Sequence, residues 1–257
     1  MKRFIITTLI GLIALTAGKA QEYKLAKSTG KLVINLASIK VEGYSGSEIV
    51  FSTVKEDREE DERAKGLRPI NGSGLIDNTG IGINVTDKGA TIEVSQVSSK
   101  DKEIKILVPK GVSVSYAYNK VMNAGKASFK NVEGELEISV QHNSVNLDNV
   151  TGPLTVKAIY GSVDAKFGAN IKGPISIVSI YGHVDVAIPE TIKANLTAKT
   201  SYGEILASSE LKIELEKTTK DDMVSYSNNN VKGKLNGGGP EFSLRSDYSK
   251  IYLRKTN

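Results

Sequence analysis

A bent unit of strand, corner and strand recurs six times along this chain in one internal register, and that repeat restricts the fold more than any other feature. Aligned from Val112, Leu136, Leu154, Ile175, Leu196 and Phe242, the segments need no internal gap. Two residues on stand Val114, Ile138, Val156, Ile177, Ala198 and Leu244, and six on stand Tyr118, His142, Tyr160, Tyr181, Tyr202 and Tyr248. Seven on come Asn119, Asn143, Gly161, Gly182, Gly203 and Ser249; nine on come Val121, Val145, Val163, Val184, Ile205 and Ile251. The starts lie 24, 18, 21, 21 and 46 residues apart, so length variation falls between units and not within them. A repeat of this size is the signature of a stacked architecture.

Apolar residues alternating ahead of the tyrosine column predict a strand with one buried face. The Gly/Asn/Ser column predicts a corner in the left-handed backbone region. The apolar column two places later opens a second inward row, continued by Leu147, Ala165, Val186 and Leu253. Such a unit cannot bury its own apolar side and must stack on its neighbours. Parallel coiling gives a β-solenoid; antiparallel pairing gives a sandwich or meander. An unchanging register favours the coil, since each copy offers the same columns to the next. Gly152-Pro153, Gly173-Pro174 and Gly239-Pro240 precede unit starts, where proline does not interrupt a ladder. The expectation is one all-β domain over residues 21–257, a parallel β-solenoid with rungs of about 21 residues.

Residues 31–54 and 90–109 alternate like further strands but match the columns loosely, which suits irregular first rungs and a cap. Residues 55–80 are a charged and then Gly-rich insertion. Its Glu59/Arg63 and Asp61/Lys65 pairs have helical spacing, so it reads as a solvated loop or short helix, or as a partner-binding insertion. Residues 209–238 form a second long excursion.

Lys2 and Arg3, the apolar stretch Phe4 to Leu15 and the small residues Gly18 and Ala20 have the layout of a signal peptide, residues 1–20, cut before Gln21. Losing Lys2, Arg3 and Lys19 takes the 34 basic residues to 31 against 29 acidic ones, a balance of +2. That offers nothing to nucleic acid. Cysteine is absent, so disulfides are excluded. No later segment reaches the ~20 apolar residues of a membrane helix. With aromatics at 6% and no Trp, the girdles of an outer-membrane barrel are missing.

Among residues that could carry chemistry, Asp164 and Asp185 share one column in adjacent units and should stand outward about 4.8 Å apart, near the separation used by retaining glycosidases. The column continues as Asn146, Leu206 and Tyr252, which builds no wider acidic cluster. His142 and His183 lie in different columns, so a shared metal site is not expected, although scattered Asp and Asn leave calcium open. No nucleophile elbow, phosphate loop or nucleotide fingerprint occurs. The tyrosine column has two readings, a register-fixing ladder or a surface that packs on sugar rings or a partner protein. Its candidate ligand-binding residues are Tyr160, Tyr181, Tyr202 and Tyr248. No catalytic residue, metal or cofactor is assigned.

The units Tyr160-Gly161-Ser162-Val163-Asp164 and Tyr181-Gly182-His183-Val184-Asp185, with Val108-Pro109-Lys110-Gly111-Val112 and Gly237-Gly238-Gly239-Pro240, resemble a bacterial family of unknown function known as "putative adhesins", akin to auto-transporter adhesin head domains. The resemblance implies a right-handed, single-stranded parallel β-helix on an exported protein of a Gram-negative bacterium, held in the periplasm, on the cell surface or secreted. His142 departs from the tyrosine pattern. The expected function is a non-enzymatic binding or structural module of the cell envelope, toward glycans or envelope proteins, with homo-oligomers open. A polysaccharide-active β-helix enzyme and a periplasmic sensory or scaffold component are the rivals.

Overall fold

The computed structural model describes residues 22–54, 63, 66–67, 70–98, 102–121, 124–216 and 230–256, which hold strands and turns and no α-helix. The expected signal segment, Glu59, Asp61 and Lys65 of the helical pairs, and residues 217–229 lie outside the described residues. In chain order the strands are β1 (Glu22–Leu25), β2 (Thr29–Asn35), β3 (Ile39–Tyr44), β4 (Ile49–Thr53), β5 (Ile83–Asp87), β6 (Thr91–Gln96) and β7 (Ile104–Pro109). There follow β8 (Gly111–Tyr118), β9 (Lys126–Lys130), β10 (Leu136–Val140), β11 (Ser144–Asp148), β12 (Leu154–Ala158), β13 (Val163–Lys166) and β14 (Ile175–Ser179). The last are β15 (Val184–Ile188), β16 (Ala194–Lys199), β17 (Ile205–Ala207), β18 (Ile213–Leu215), β19 (Asn230–Leu235), β20 (Glu241–Ser246) and β21 (Ile251–Lys255).

Each rung gives one strand to an 11-stranded sheet and, after a corner, one to a 10-stranded sheet. In β12, Leu154, Val156 and Ala158 are buried while Thr155 and Lys157 are exposed. Past the corner, Val163, Ala165 and Phe167 are buried too, so the two sheets enclose a common core. Burying each Val, Leu or Ile is worth roughly 1.5–3 kcal/mol, and the core needs both sheets to collect it.

The central rungs run in one sense. β10, β12 and β14 pair in parallel with Leu136, Leu154 and Ile175 in one column, and β11, β13 and β15 do so with Val145, Val163 and Val184. The architecture is therefore an all-β coil with parallel sheets, and the antiparallel meander is set aside. The prolines before the rungs act through their carbonyls: Pro153 accepts from Leu136 N–H at 2.9 Å, Pro174 from Leu154 at 2.9 Å and Pro240 from Asn195 at 3.0 Å. A residue without an N–H thus still serves the ladder.

Three features differ from the sequence expectation. First, the Val112 segment is displaced by two residues: Val114, not Val112, pairs with Leu136. A two-residue slip keeps every side chain on its face, which is why the pattern concealed it. Tyr118 pairs with Val140 and is buried, Val121 is 66% exposed, and Ala127 takes the place opposite Val145. Second, space does not follow sequence. The final rung, β20 and β21, sits between β14/β15 and β16/β17, and the first, β2 and β3, sits inside β6/β7. The inserted rung carries Phe242, whose ring meets Phe167 edge-on at 5.4 Å. Phe242, Leu244, Ile251 and Leu253 are all buried, so the more apolar rung takes the interior place. Third, both ends finish in antiparallel strands. β4 and β1 extend from β7, β5 pairs with β6, and β19 and β18 fold back on β16 within the 209–238 excursion.

The described part of the 55–80 insertion is a set of turns around Asp77. Its carboxylate accepts from the N–H groups of Thr79, Gly80 and Gly82 and from the Thr79 hydroxyl, all at 2.8–2.9 Å. Burial opposes the charged form, but these donors hold Asp77 below the usual carboxylate range.

Outward side chains brace the rungs with ion pairs, including Lys105–Glu42 at 3.0 Å and Lys31–Glu137 at 2.6 Å. Glu133 is held between Lys110 at 2.8 Å and Lys172 at 2.9 Å, and these ammonium groups bring its carboxyl down to about 2. A carboxyl depressed in the fold stabilises it above the unfolded pKa of about 4.3, and that contribution fades as pH falls toward the folded value. Between pH 4.3 and 2 the wild type should therefore lose more stability than Glu133→Gln. Urea midpoints measured across that window check this; parallel losses in both proteins would refute the role of Glu133.

Candidate functional site

Between the two sheets the chain turns within three residues, Ile159 to Gly161 in the central rung, and the backbone ladder continues through the turn. Tyr160 N–H donates to Gln141 at 2.8 Å, Tyr181 to Ile159 at 2.9 Å, Tyr248 to Ile180 at 2.9 Å and Tyr202 to Asp247 at 2.8 Å. One hydrogen bond per rung at one position forces the side chains there into a single file.

At three of the corners crowding requires glycine. None of Gly161, Gly182 and Gly203 has the left-handed φ expected from sequence. A Cβ on Gly161 would overlap the Asn143 carbonyl, one on Gly182 the Gly161 carbonyl, and one on Gly203 the Ser249 carbonyl. The demand comes from the neighbouring rung and not from the residue's own backbone.

A buried polar file lies under the corner. Ser179 Oγ donates to the Gly161 carbonyl at 2.9 Å and accepts from Gly182 N–H at 3.0 Å. Ser246 Oγ donates to the Gly182 carbonyl at 2.9 Å, and Thr200 Oγ1 accepts from Gly203 N–H at 2.9 Å. Toward the N-terminal end Asn143 replaces these hydroxyls, donating to the Ala37 carbonyl at 2.7 Å and to the Tyr116 hydroxyl at 2.8 Å. Tyr116 donates in turn to the Leu36 carbonyl at 3.0 Å, and burial pushes its hydroxyl above the ordinary range, which keeps it a donor. The sequence signal for this file was a Ser or Thr at an otherwise apolar inward position, four residues into three of the units.

Above it stand the rings. His142 and Tyr160 stack at 4.8 Å and 14°, Tyr160 and Tyr181 at 5.1 Å and 8°, Tyr181 and Tyr248 at 4.9 Å and 13°, and Tyr248 and Tyr202 at 5.0 Å and 12°. The structure thus brings together all four predicted tyrosines, with Tyr248 between Tyr181 and Tyr202. His142 joins the stack and Tyr118 does not. Tyr160, Tyr181 and Tyr248 are about half exposed and Tyr202 is 76% exposed. Neighbours cover the ring faces along the file, so the rings offer solvent their edges, with the free end of the stack at Tyr202.

On one flank, the column Lys157, Val178, Arg245, Lys199 runs beside the rings. Asp247 binds Arg245 through two contacts of 2.7 and 2.9 Å, while Lys157 and Lys199 have no ion pair among the described residues. On the other flank Asp164 and Asp185 lie opposite one another, as predicted. His183 Nε2 is 3.0 Å from Asp164, and Arg254 Nε reaches both Asp185 oxygens at 2.8 and 2.9 Å. Each carboxylate is engaged by its own nitrogen partner, an arrangement that braces neighbouring strands. No group of three or more His, Asp or Glu among the described residues is placed to hold a metal ion.

Stacked rungs, a shared core and a ring-lined corner define a β-solenoid scaffold. Residues 124–235 match the family described as Toastrack DUF4097. No curated protein matches the chain in sequence. Among solved structures, the chain is similar to a "putative cell adhesion protein" from Clostridium sporogenes, at 15% identity and TM-score 0.46, covering 93% of this chain and 100% of that one. A "putative adhesin" from Bacteroides fragilis aligns at 10% identity and TM-score 0.33, covering 93% and 98%.

The crowded corner makes a sharp prediction. Gly182→Ala should destabilise the protein by about 1–3 kcal/mol, the cost of overpacking a rigid contact. Denaturant unfolding reads this directly, and an unchanged midpoint would show that the rungs can part to admit a methyl group.

Proposed function

We propose that the protein is an exported, non-enzymatic binding module of the cell envelope, adhesin-like, on a right-handed solenoid with rungs of about 21 residues. Its recognition surface is the file of His142, Tyr160, Tyr181, Tyr248 and Tyr202. The observation that carries this reading is the uninterrupted exposure of that file: five rings in register, four of them half exposed or more. Large aromatic groups on a surface mark interaction sites when contiguous. Rings already fixed by their neighbours lose little conformational freedom on binding.

The ligand this geometry suits is an extended glycan. Tyrosine hydroxyls recurring at about 5 Å offer alternating donors and acceptors to a chain of sugar hydroxyls, while the apolar ring edges cover its C–H surfaces. Lys157 and Lys199 beside the file favour acidic sugars. Among the tyrosines, Tyr202 alone stands at an end of the stack, where a terminal sugar can lie flat on its ring face.

A glycan array with the mature protein, followed by titration calorimetry on the best hit, tests the reading. Tyr181→Ser combined with Tyr248→Ser should weaken capture at least tenfold, the scale of a central interface residue, with the thermal transition retained. Full capture by the folded double variant would overturn the assignment, and retention of an envelope protein in place of any glycan would reassign the ligand.

A further inference from the structure

We infer that the C-terminal end of the coil carries a second site, a cavity that takes a single saturated alkyl chain. The two sheets end unequally there. The 11-stranded sheet continues past β16 through β19 and β18, whereas the other sheet stops at the three-residue β17. Among the described residues, the inner sides of β18 and β19 therefore have no strand opposite them, and a cavity of about 240 Å³ lies in that space.

Its floor is the last layer of the core, including Leu244, Ile251 and Leu253, each no more than 3% exposed. Its rim includes Ala207 and Leu215, the latter 64% exposed. All eleven lining residues are Ala, Val, Leu or Ile. With no polar side chain in the wall, only backbone groups could hydrogen-bond a ligand there, and the side chains offer purely aliphatic contact. An aliphatic chain is the occupant that matches such a wall. The cavity exceeds the roughly 150 Å³ apolar void that stays dry and takes up benzene, and close-packed interiors leave few such spaces. Since the rim is exposed, a chain enters from the end of the coil and leaves its polar head in water. The rings of the corner take no part, so this site stands apart from the proposed glycan surface.

The mature protein titrated calorimetrically with saturated fatty acids from hexanoate to dodecanoate tests the inference. Affinity should rise about fourfold per added methylene, as expected for burying each group, and then level off once the cavity is filled. Ala207→Phe, which fills the mouth, should weaken binding at least tenfold, and Leu215→Glu, on the exposed rim, should do so without touching the floor. Tyr181→Ser should leave it unchanged, which separates this site from the other. Co-sedimentation with phosphatidylethanolamine vesicles, lost in Ala207→Phe, would identify a membrane lipid as the source of the chain; binding of monomeric fatty acid alone would identify a free acid. No saturable binding, no dependence on chain length, or full affinity in both folded variants would overturn the inference.

Discussion

Adjacent rungs can stack only if their backbones meet closely at the corner, and the rest of the structure depends on that contact. At Gly161, Gly182 and Gly203 the carbonyl of one rung occupies the space where the next would carry a Cβ. That approach lets the strand ladder continue through the turn, so the two sheets do not separate into independent layers. It also sets the ring spacing. Tyrosines anchored one per rung inherit the inter-strand repeat of about 4.8 Å, and rings at that distance stack face to face.

The same closeness creates a need for internal donors. A turn buried under a row of rings has no water for its N–H and C=O groups, and an unmet backbone group would cost about 1–3 kcal/mol. Ser179 meets this need by joining the Gly161 carbonyl to the Gly182 N–H, Ser246 by donating to the Gly182 carbonyl, and Thr200 by accepting from the Gly203 N–H. Asn143 and Tyr116 do so where the corner opens into the longer 119–125 connection. Among the described residues no buried side-chain nitrogen or oxygen is left without a partner. The aromatic exterior and the polar interior of the corner are two consequences of one tight turn.

Sequence periodicity made the rung, the columns and the exposed tyrosine file legible, because inward and outward positions alternate strictly and the corner has constant length from the Leu136 unit onward. It also placed Asp164 opposite Asp185. Periodicity carries no information on which copies are neighbours, however. Since Phe242 fits the Leu154 column as well as Leu196 does, the insertion of the last rung was invisible, and with it the order of Tyr248 and Tyr202. The two-residue displacement at Val112 escaped for a related reason, as β8 preserves the inward set under that slip. The corner glycines were assigned their role from a general property of glycine, whereas the reason lies in a neighbour distant in sequence.

The insertion of the last rung has a further consequence. β16 touches the body of the coil through β20, and β17 through β21. Until residues 241–255 arrive, the rung of β16 and β17 has no strand to pair with on its inner side, and the hairpin of β19 and β18 built on it has no link to the coil. The C-terminal segment is thus the element that joins the end structure to the coil. It supplies the fourth ring of the file, Tyr248, together with Leu244, Ile251 and Leu253 beneath the cavity. The surface file and the apolar end are completed by the same rung, so neither is complete on a partly coiled chain.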